Sequence, residues 1–277
     1  MSYGVTIVCN RALAERGFGP HATLSIRFGV SAAALFVLLA LRRHPLVPVA
    51  GERLRPLLLG AIGYAIESSL FYAALQRGTA AAVALLFYVY PAIVTVAELS
   101  VGRIRATRRL LGALGLSGAG TALIVVTGGD VSISPAGIVF ALAAAISFAV
   151  YLLVSGRAVV RTDPMVNGAW VAAGASLSLT VQGLATGGLR APGDDAGLML
   201  LNGLATAAAF SLMFAALGRL GASRTAVVMT LEALSGVVLG ALVLGEVIGP
   251  VQLVGGAAIL AATVLIGSLR TDAAALT

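Results

Sequence analysis

Ionisable side chains stand inside the long apolar runs of this sequence, where each charge is costly unless it faces protein or water. Glu67 and Glu232 lie near the middle of two such runs. A carboxylate at that depth can pair with a substrate ammonium group or titrate a proton, or it can be structural and bond a neighbouring helix. We favour the functional role for Glu67 and leave both roles open for Glu232.

Two arginines also lie within apolar runs. Arg27 lies about two helical turns inside one run, and Arg11 lies near the end of the first. The planar fork of a guanidinium can receive a substrate carboxylate through two parallel hydrogen bonds. The sequence favours the alternative for Arg27, a structural tether that snorkels towards the outer surface, and leaves Arg11 ambiguous. Glu98 and the arginine cluster at 103–109 indicate an interfacial ionic patch without a transport role.

Aromatic residues accompany these charges. Helical spacing places Tyr64 and Phe71 on the same face of a helix as Glu67, and Ala74 continues that face. An apolar wall with a few hydroxyl groups suits planar amphipathic solutes and attracts cations. Packing explains any single ring, but not their grouping on three predicted helices. The further aromatic residues within apolar runs are Tyr72, Phe87, Tyr88, Tyr90, Phe148, Tyr151, Trp170, Phe210 and Phe214.

Other residue types argue against enzymatic chemistry. Cys9 is the only cysteine, and the two histidines, His21 and His44, lie near predicted helix ends. They supply neither a nucleophile–base pair nor clustered metal ligands, so an intramembrane protease or acyltransferase is a weak alternative. The sequence also carries no P-loop for ATP. We therefore expect no catalytic residue, no metal and no cofactor.

The composition of the chain indicates that these residues lie in transmembrane helices. Hydrophobic residues make up 59% of the chain, charged residues make up 10%, and the mean hydropathy is +1.02. A soluble domain cannot hide so much apolar surface, whereas a lipid bilayer acts as its solvent. Because each span needs roughly 20 residues, the chain is predicted to be an all-α membrane protein of about ten transmembrane helices, α1 to α10. The predicted ranges are 2–13, 21–41, 54–75, 79–100, 107–127, 135–155, 164–186, 196–217, 222–245 and 249–269.

The arginine distribution predicts the orientation of the helices and argues against a nucleic-acid partner. All 18 basic residues are arginines, and they form short clusters between apolar runs. The loops after α2, α4, α6 and α8, together with the C-terminal tail, carry most of them. The positive-inside rule therefore places both termini in the cytoplasm of a multi-pass membrane protein. These arginines are Arg42, Arg43, Arg53, Arg55, Arg103, Arg105, Arg108, Arg109, Arg157, Arg161, Arg219, Arg224 and Arg270, against Arg16, Arg77 and Arg190 in the alternate loops.

The sequence contains an internal repeat. Residues 74–77 (ALQR) recur as residues 216–219 (ALGR). Each half holds five predicted helices, and because five is odd, the second half must lie inverted relative to the first. Inverted repeats of this kind are typical of secondary transporters. We predict two five-helix repeats, at 1–130 and 131–277.

The second half carries residues that resemble a known family. The run 216–224 (ALGRLGASR), followed by Glu232, 244–246 (LGE) and Gly255, resembles the EamA-type domain of the drug/metabolite transporter superfamily. The resemblance covers nearly the whole chain, once in each half. It implies two inverted five-helix repeats and a transport function.

Two positions depart from the pattern of this family. Arg103 stands where the family has the glutamate matched by Glu246, and Ala233 replaces the proline matched by Pro91. Pro91 removes a backbone hydrogen bond inside α4 and should bend that helix, which would help to close a gate. We expect α9, which has Ala233 instead, to stay straighter.

The first half suggests a closer relative within this superfamily. Residues 68–75 (SSLFYAAL) and 87–91 (FYVYP) are most similar to the YddG-type aromatic amino-acid exporters of bacterial inner membranes. The resemblance implies export of small metabolites, including aromatic amino acids, by alternating access through a cavity lined by α1–α4 and α6–α9. The alternative cargo is another small organic solute or drug. The candidate cavity residues are Glu67, Tyr64, Phe71, Tyr72, Phe87, Tyr88, Tyr90, Tyr151, Trp170, Phe210 and Glu232, with Arg27 and Arg11 as candidate carboxylate partners.

Glycines in α5 and α10 predict close helix contact at the periphery of the protein. They are Gly112, Gly115 and Gly118 in α5, and Gly255 and Gly256 in α10. Small residues let helix backbones approach each other in a membrane. We interpret these positions as packing surfaces and as the candidate interface of a homodimer, without contact to substrate.

The first predicted helix is short. Residues 2–13 extend over roughly 18 Å at 1.5 Å per residue, less than a hydrocarbon core of about 30 Å. Either the native chain began further upstream, or α1 is a half-span that leaves a water-filled gap on the cytoplasmic side.

Overall fold

The computed structural model describes residues 5–6, 9–10, 12–13, 16–127, 132–158, 161–233, 235, 238, 242 and 249–267. Within these residues the chain is all-helical, and its one β-type pairing is an isolated bridge between Gly78 and Ile133. The described residues of α1 are helical. The length of α1, which decides whether it is a half-span, lies outside the described residues.

The described helices begin within one residue of the predicted positions. Proline is the first residue of four of them, where its missing N–H is not needed for a helical hydrogen bond. The bounds are Pro20–Leu41 for α2, Arg55–Leu75 for α3, Ala80–Phe87 and Tyr90–Ser100 for the two parts of α4, Arg108–Thr127 for α5, Pro135–Ala158 for α6, Pro164–Thr186 for α7, Ala196–Leu220 for α8, Ala222–Met229 for the first part of α9 and Pro250–Gly267 for α10.

Six of the described helices are long and apolar enough to cross a membrane, judged by length and composition. They are α2, α3, α4, α5, α6 and α8. Large apolar side chains remain exposed on outer faces, such as Leu212 on α8 and Val264 on α10. Such faces need no polar coat in lipid. The full number of ten spans goes beyond these six and stays a prediction.

Two glycines at equivalent positions of the repeat allow close packing between helices of the two halves. Gly60 in α3 lies so close to α7 that an added Cβ would come within 2.0 Å of the Val171 carbonyl oxygen. Gly203 in α8 packs in the same way on α2, where an added Cβ would lie 2.4 Å from Val30 and 3.0 Å from the Arg27 carbonyl oxygen. Small residues allow such close helix packing in membranes. Each contact joins a helix of one half to a helix of the other.

Helices α5 and α10 pack against each other within the chain. An added Cβ on Gly120 would lie 2.5 Å from the Gly255 carbonyl oxygen, and one on Gly255 would lie 2.7 Å from the Gly120 carbonyl oxygen. Gly255 was expected to make a close contact, but its partner Gly120 was not. Added Cβ atoms on Gly115 and Gly118 would meet nothing within 4 Å. A homodimer through these helices stays a prediction, and Gly115 and Gly118 mark the open face it would use.

Helix α4 is interrupted beside its proline. The first part ends at Phe87 and the second begins at Tyr90, directly before Pro91. At the break, the Val89 amide bonds the Leu86 carbonyl at 3.3 Å, three residues back instead of four. The proline has no N–H to continue the regular pattern across the break.

Helix α9 is interrupted at the equivalent point, although it lacks the proline. Its first part ends at Met229, and the Thr230 amide bonds the Val227 carbonyl at 3.1 Å. The Thr230 hydroxyl donates to the same carbonyl at 2.7 Å. The absence of a proline therefore does not keep α9 uninterrupted. Which of the two helices is straighter stays a prediction, because much of the second part of α9 lies outside the described residues. Thr230 corresponds to Tyr88 in the repeat, so the break occurs at the same position in both halves. In α4 it is accompanied by a proline, and in α9 by the hydrogen bonds of Thr230 to the Val227 carbonyl.

Candidate functional site

Glu67 lies in the interior of α3, on the predicted face. Its side chain is 7% exposed, and its Oε2 accepts a hydrogen bond from Ser68 Oγ at 3.1 Å. Tyr64 and Ala74 are buried, and Phe71 is half-buried. Within the described part of the chain, the Ser68 hydroxyl is the one hydrogen-bond donor to Glu67. A single neutral donor is weak compensation for a carboxylate held away from water.

An irregular segment of α3 leads to this carboxylate. Residues Leu59–Tyr64 form a π-helical turn that contains Gly60, the residue in contact with α7. In the same turn, Gly63 lies against the ring of Tyr151, which an added Cβ would approach to 3.1 Å. Short π segments re-aim side chains and often occur at functional sites. The turn ends at Tyr64, so regular helical spacing applies from Tyr64 onwards, as the sequence predicted.

Arg27 points into the protein instead of towards its surface. Its side chain is 9% exposed, and the guanidinium carbon lies 4.4 Å from the centre of the Phe28 ring. Its Nε is buried without a hydrogen-bond partner. The guanidinium interacts electrostatically with Glu67 and with the Tyr64 hydroxyl group. The expectation that Arg27 snorkels outwards is wrong, because α8 packs closely on this turn of α2 through Gly203.

Glu232 brings a second carboxylate to the same region. It follows the break in α9 by two residues and is half-buried. It interacts electrostatically with Arg27 and Glu67, and with the tyrosines at the break of α4. Among the described residues, neither carboxylate forms an ion pair within 4.0 Å of Arg27. One guanidinium thus faces two carboxylates without a direct ion pair to either.

Aromatic rings fill the space around these charges. The Tyr64 ring centre lies 5.1 Å from that of Phe28, 5.2 Å from that of Phe210 and 5.5 Å from that of Tyr151. From Tyr151 the ring contacts continue through α6 and α4 to α3. We call the connected set the aromatic cluster. Its members are Phe28, Tyr64, Phe71, Phe87, Tyr88, Tyr90, Phe148, Tyr151 and Phe210.

The structure brings together most of the residues predicted for the cavity, but Trp170 lies apart from them. Its ring contacts Phe36 at 5.7 Å, and its Nε1 donates to the Leu46 carbonyl at 2.8 Å, beside the loop between α2 and α3. Tyr72 is half-buried against the same core as the aromatic cluster. Arg11 lies outside the described residues. Hydrophobic spacing correctly placed Trp170 inside a helix. It could not show that this part of the helix packs against the loop between α2 and α3.

The charged residues break the symmetry of the repeat. Pro20 and Pro164 both begin their helices, so Arg27 is matched by Val171 in α7. Glu67 is matched by Ala209 in the repeat, and Glu232 by Tyr90. The scaffold therefore occurs twice, whereas each of the three charges occurs once. A residue that served only the scaffold would be expected in both halves.

Phe28 is the part of the site that the sequence did not predict. Its ring stacks on that of Phe210 at 5.7 Å, with an interplanar angle of 19°, and it lies beside the Arg27 guanidinium. Its position next to Arg27 in the sequence was the available signal. Neighbouring residues of a helix point about 100° apart, so adjacency alone does not predict contact with the same cavity.

Comparisons with known proteins agree with this architecture. A family model described as the EamA-like transporter family matches residues 1–126 and residues 135–268. One solved structure, described as the crystal structure of a protein, superposes with a TM-score of 0.77 at 16% sequence identity. That match covers 95% of this chain and 94% of the other, and it establishes a shared fold. No curated protein matches this chain.

Proposed function

Because this chain belongs to the EamA-like transporter family, whose members move small solutes across membranes, we propose that it exports amino acids, including aromatic ones. The proposed location is the inner membrane of a bacterium, with both termini in the cytoplasm. The arginine-rich loops after α2, α4, α6 and α8 support that orientation. The family consists of transporters and not of enzymes.

The observation that carries this proposal is the carboxylate of Glu67 inside the aromatic cluster. An amino acid brings a positively charged ammonium group, which must be compensated where water is excluded. Glu67 supplies a negative charge that is bonded only by a neighbouring hydroxyl group among the described residues. The rings beside it supply an apolar wall for a planar side chain. Together they match the chemistry of a small amphipathic zwitterion.

Alternating access supplies the proposed mechanism. Rings from α2, α3, α4, α6 and α8 contact one another in this structure, so a solute can pass only when these helices separate. The breaks in α4 and α9 supply hinge points on the two halves. The Tyr90 hydroxyl donates to the Ala226 carbonyl at 3.3 Å and joins the two broken helices. We propose that the half-helices rock about these breaks and expose the site to one side at a time.

Counterflow of labelled amino acids into proteoliposomes tests the proposal. Glu67→Gln keeps the size of the side chain and removes its charge. It should lower amino-acid flux more than tenfold, which corresponds to about 1.4 kcal/mol. Asp194→Asn is the matched control, because Asp194 is an exposed carboxylate in the loop before α8.

Three results would count against this assignment. Flux of the Glu67→Gln protein equal to that of the Asp194→Asn protein would make Glu67 structural. Flux of a different organic solute, with none of any amino acid, would replace the proposed cargo. Hydrolysis of a substrate without flux would move the protein to another functional class.

A further inference from the structure

Arg27 has unused hydrogen-bonding capacity in the interior of the protein. Its Nε is buried and has no partner, although buried donors are nearly always satisfied. A snorkelling arginine would satisfy its donors with water at the surface, but this side chain is 9% exposed. The burial of Arg27 therefore needs another explanation.

Charge balance within the protein does not provide that explanation. Buried ion pairs are favourable only when their geometry is close and their hydrogen bonds are satisfied. Glu67 and Glu232 interact with Arg27 electrostatically, yet among the described residues no carboxylate oxygen lies within 4.0 Å of its guanidinium. The guanidinium hydrogen-bonds the Tyr64 side chain and lies over the face of the Phe28 ring, and neither group is a negatively charged acceptor.

The scaffold does not need the guanidinium either. The close contact between α2 and α8 places the Val30 side chain and the backbone carbonyl of Arg27 against Gly203, and the side chain of Arg27 takes no part in it. Its equivalent in the other half uses the carbonyl of Val171 against Gly60. Because valine serves the same helix contact in the repeat, the side chain of Arg27 is free for another purpose.

We infer that Arg27 binds the carboxylate group of the substrate, while Glu67 binds its ammonium group. This inference rests on the proposed function and assigns the residue that binds the second charge of the zwitterion. The edge of a guanidinium that includes Nε presents two parallel N–H donors, which match the two oxygens of a carboxylate. The Phe28 ring lies beside the Arg27 guanidinium and contacts the Tyr64 ring, which interacts with both Arg27 and Glu67, so the substrate side chain would pack against these two rings.

A set of related ligands tests the inference. Tyrosine carries both charges, whereas tyramine lacks the carboxylate and tyrosine methyl ester lacks its negative charge. Counterflow of labelled tyrosine and of labelled tyramine is measured in proteoliposomes, with the methyl ester as competitor. The wild-type protein should prefer tyrosine to tyramine and to the ester by at least tenfold.

Arg27→Gln should remove that preference. Tyrosine flux should fall at least tenfold, to the level of tyramine, while tyramine flux stays within twofold of the wild type. Arg27→Lys should restore part of the preference, because it keeps the charge but loses the fork. Arg77→Gln is the matched control: its guanidinium also lies over a ring, 4.9 Å from the centre of Phe140, but at the exposed end of α3.

The outcomes separate the inference from the proposed function. If the wild type moves no amino acid, the proposed function fails, and the inference fails with it. If the wild type moves tyrosine but does not distinguish it from its methyl ester, only the inference fails. That comparison needs no variant, so it decides the matter even if the Arg27 variants do not fold. Equal losses of tyrosine and tyramine flux in folded Arg27→Gln protein would also overturn the inference.

Discussion

The two ends of the molecule are joined by different chemistry. One end carries the loops after α2, α4, α6 and α8, and we call it the arginine-rich end. There, carboxylates of the first half accept hydrogen bonds from the second half. At the opposite end, Arg16 forms an ion pair with Asp195, and residues 77–79 pair with residues 132–134 through the backbone.

Glu52 makes the stronger of the two contacts at the arginine-rich end. It is buried in the loop between α2 and α3. Its Oε1 accepts from the Arg161 amide at 3.2 Å, and its Oε2 accepts from the Thr162 amide at 3.0 Å and from the Thr162 hydroxyl at 2.6 Å. Three donors from the loop between α6 and α7 therefore hold one carboxylate.

Glu98 makes the second contact at this end. It lies at the end of α4, and its Oε2 accepts from the Ser223 amide at 3.0 Å and also from the Ser223 hydroxyl. Ser223 is in the first turn of α9, where free amides attract a negative charge. The sequence predicted an interfacial ionic patch of Glu98 with the arginine cluster, but among the described residues the carboxylate of Glu98 is bonded by Ser223.

The contacts at the two ends are made by equivalent loops. The loop between α6 and α7 holds Thr162, and its counterpart in the first half, between α1 and α2, holds Arg16. The loop between α2 and α3 holds Glu52, and its counterpart, between α7 and α8, holds Asp195. The same pair of loops therefore meets at each end, with different side chains. The repeat brings equivalent loops into contact at both ends, and the side chains in each loop determine how strong the contact is.

Burial makes the arginine-rich end the stronger one. Hydrogen bonds to a charged group contribute about 1.5–3 kcal/mol each when they are sheltered. The Arg16 and Asp195 side chains are 56% and 18% exposed, and exposed ion pairs contribute about 0–1 kcal/mol.

The largest expected effect comes from the close contact between α3 and α7 at Gly60. In Gly60→Ala, the new Cβ would lie 2.0 Å from the Val171 carbonyl oxygen, so α3 and α7 must move apart. We expect a loss of about 3 kcal/mol in the free energy of unfolding, the upper part of the range for overpacking. Thermal unfolding of the purified protein measures it. Gly118→Ala is the control, because its Cβ would meet nothing within 4 Å; equal unfolding temperatures of the two variants would contradict the tight contact.

Glu52→Ala should weaken the arginine-rich end. It leaves the two amides and the hydroxyl of the opposite loop without their acceptor, at a cost of about 2 kcal/mol. Hydrogen exchange at the Arg161 and Thr162 amides should become about 30-fold faster, since each factor of ten corresponds to about 1.4 kcal/mol. Glu52→Gln keeps one acceptor oxygen and should show a smaller increase. Unchanged exchange in the alanine variant would remove the distinction between the two ends.

Glu98→Ala should have a smaller effect at the same end. It removes the acceptor of the Ser223 amide and hydroxyl, but water can reach this half-buried position. We expect a loss of about 1 kcal/mol, typical of an N-terminal helix cap. Exchange of amides in the first turn of α9 reports it. Ser223→Ala keeps the amide donor and should give a smaller loss, and the double variant should lose little more than Glu98→Ala, because Glu98→Ala already removes the acceptor of both bonds.

The smallest effect is expected at the opposite end. Asp195→Asn removes the ion pair with Arg16, and the free energy of unfolding should change by less than about 1 kcal/mol. Raising the salt concentration should mimic the substitution in the wild-type protein, because exposed charges are screened. A high salt concentration should not weaken the hydrogen bonds of Glu52, because this carboxylate is buried. A salt effect on Arg161 and Thr162 exchange as large as that of Glu52→Ala would show that burial does not separate the ends.

Much of the fold was predictable from local patterns. Helix starts agree because apolar runs bounded by proline, glycine and charge report directly on the elements that fit a bilayer. The face shared by Tyr64, Glu67 and Phe71 was predictable because helical spacing is a local property. The break in α9 was not, because Thr230 makes it through its own hydroxyl and amide, without the proline that signals a break in α4.

The sequence by itself determined an all-α, membrane-embedded chain with a repeated pattern and a few charges inside apolar runs. Hydropathy and helical spacing are properties of residues that are close in the sequence, so they can be read without knowledge of the fold. Only the tertiary structure decided where those charges point. Arg27 is buried because Gly203 brings α8 against its turn of α2, and Trp170 lies beside a loop because the chain returns there. Both outcomes depend on contacts between residues more than 100 positions apart in the sequence, for which no local pattern carries a signal.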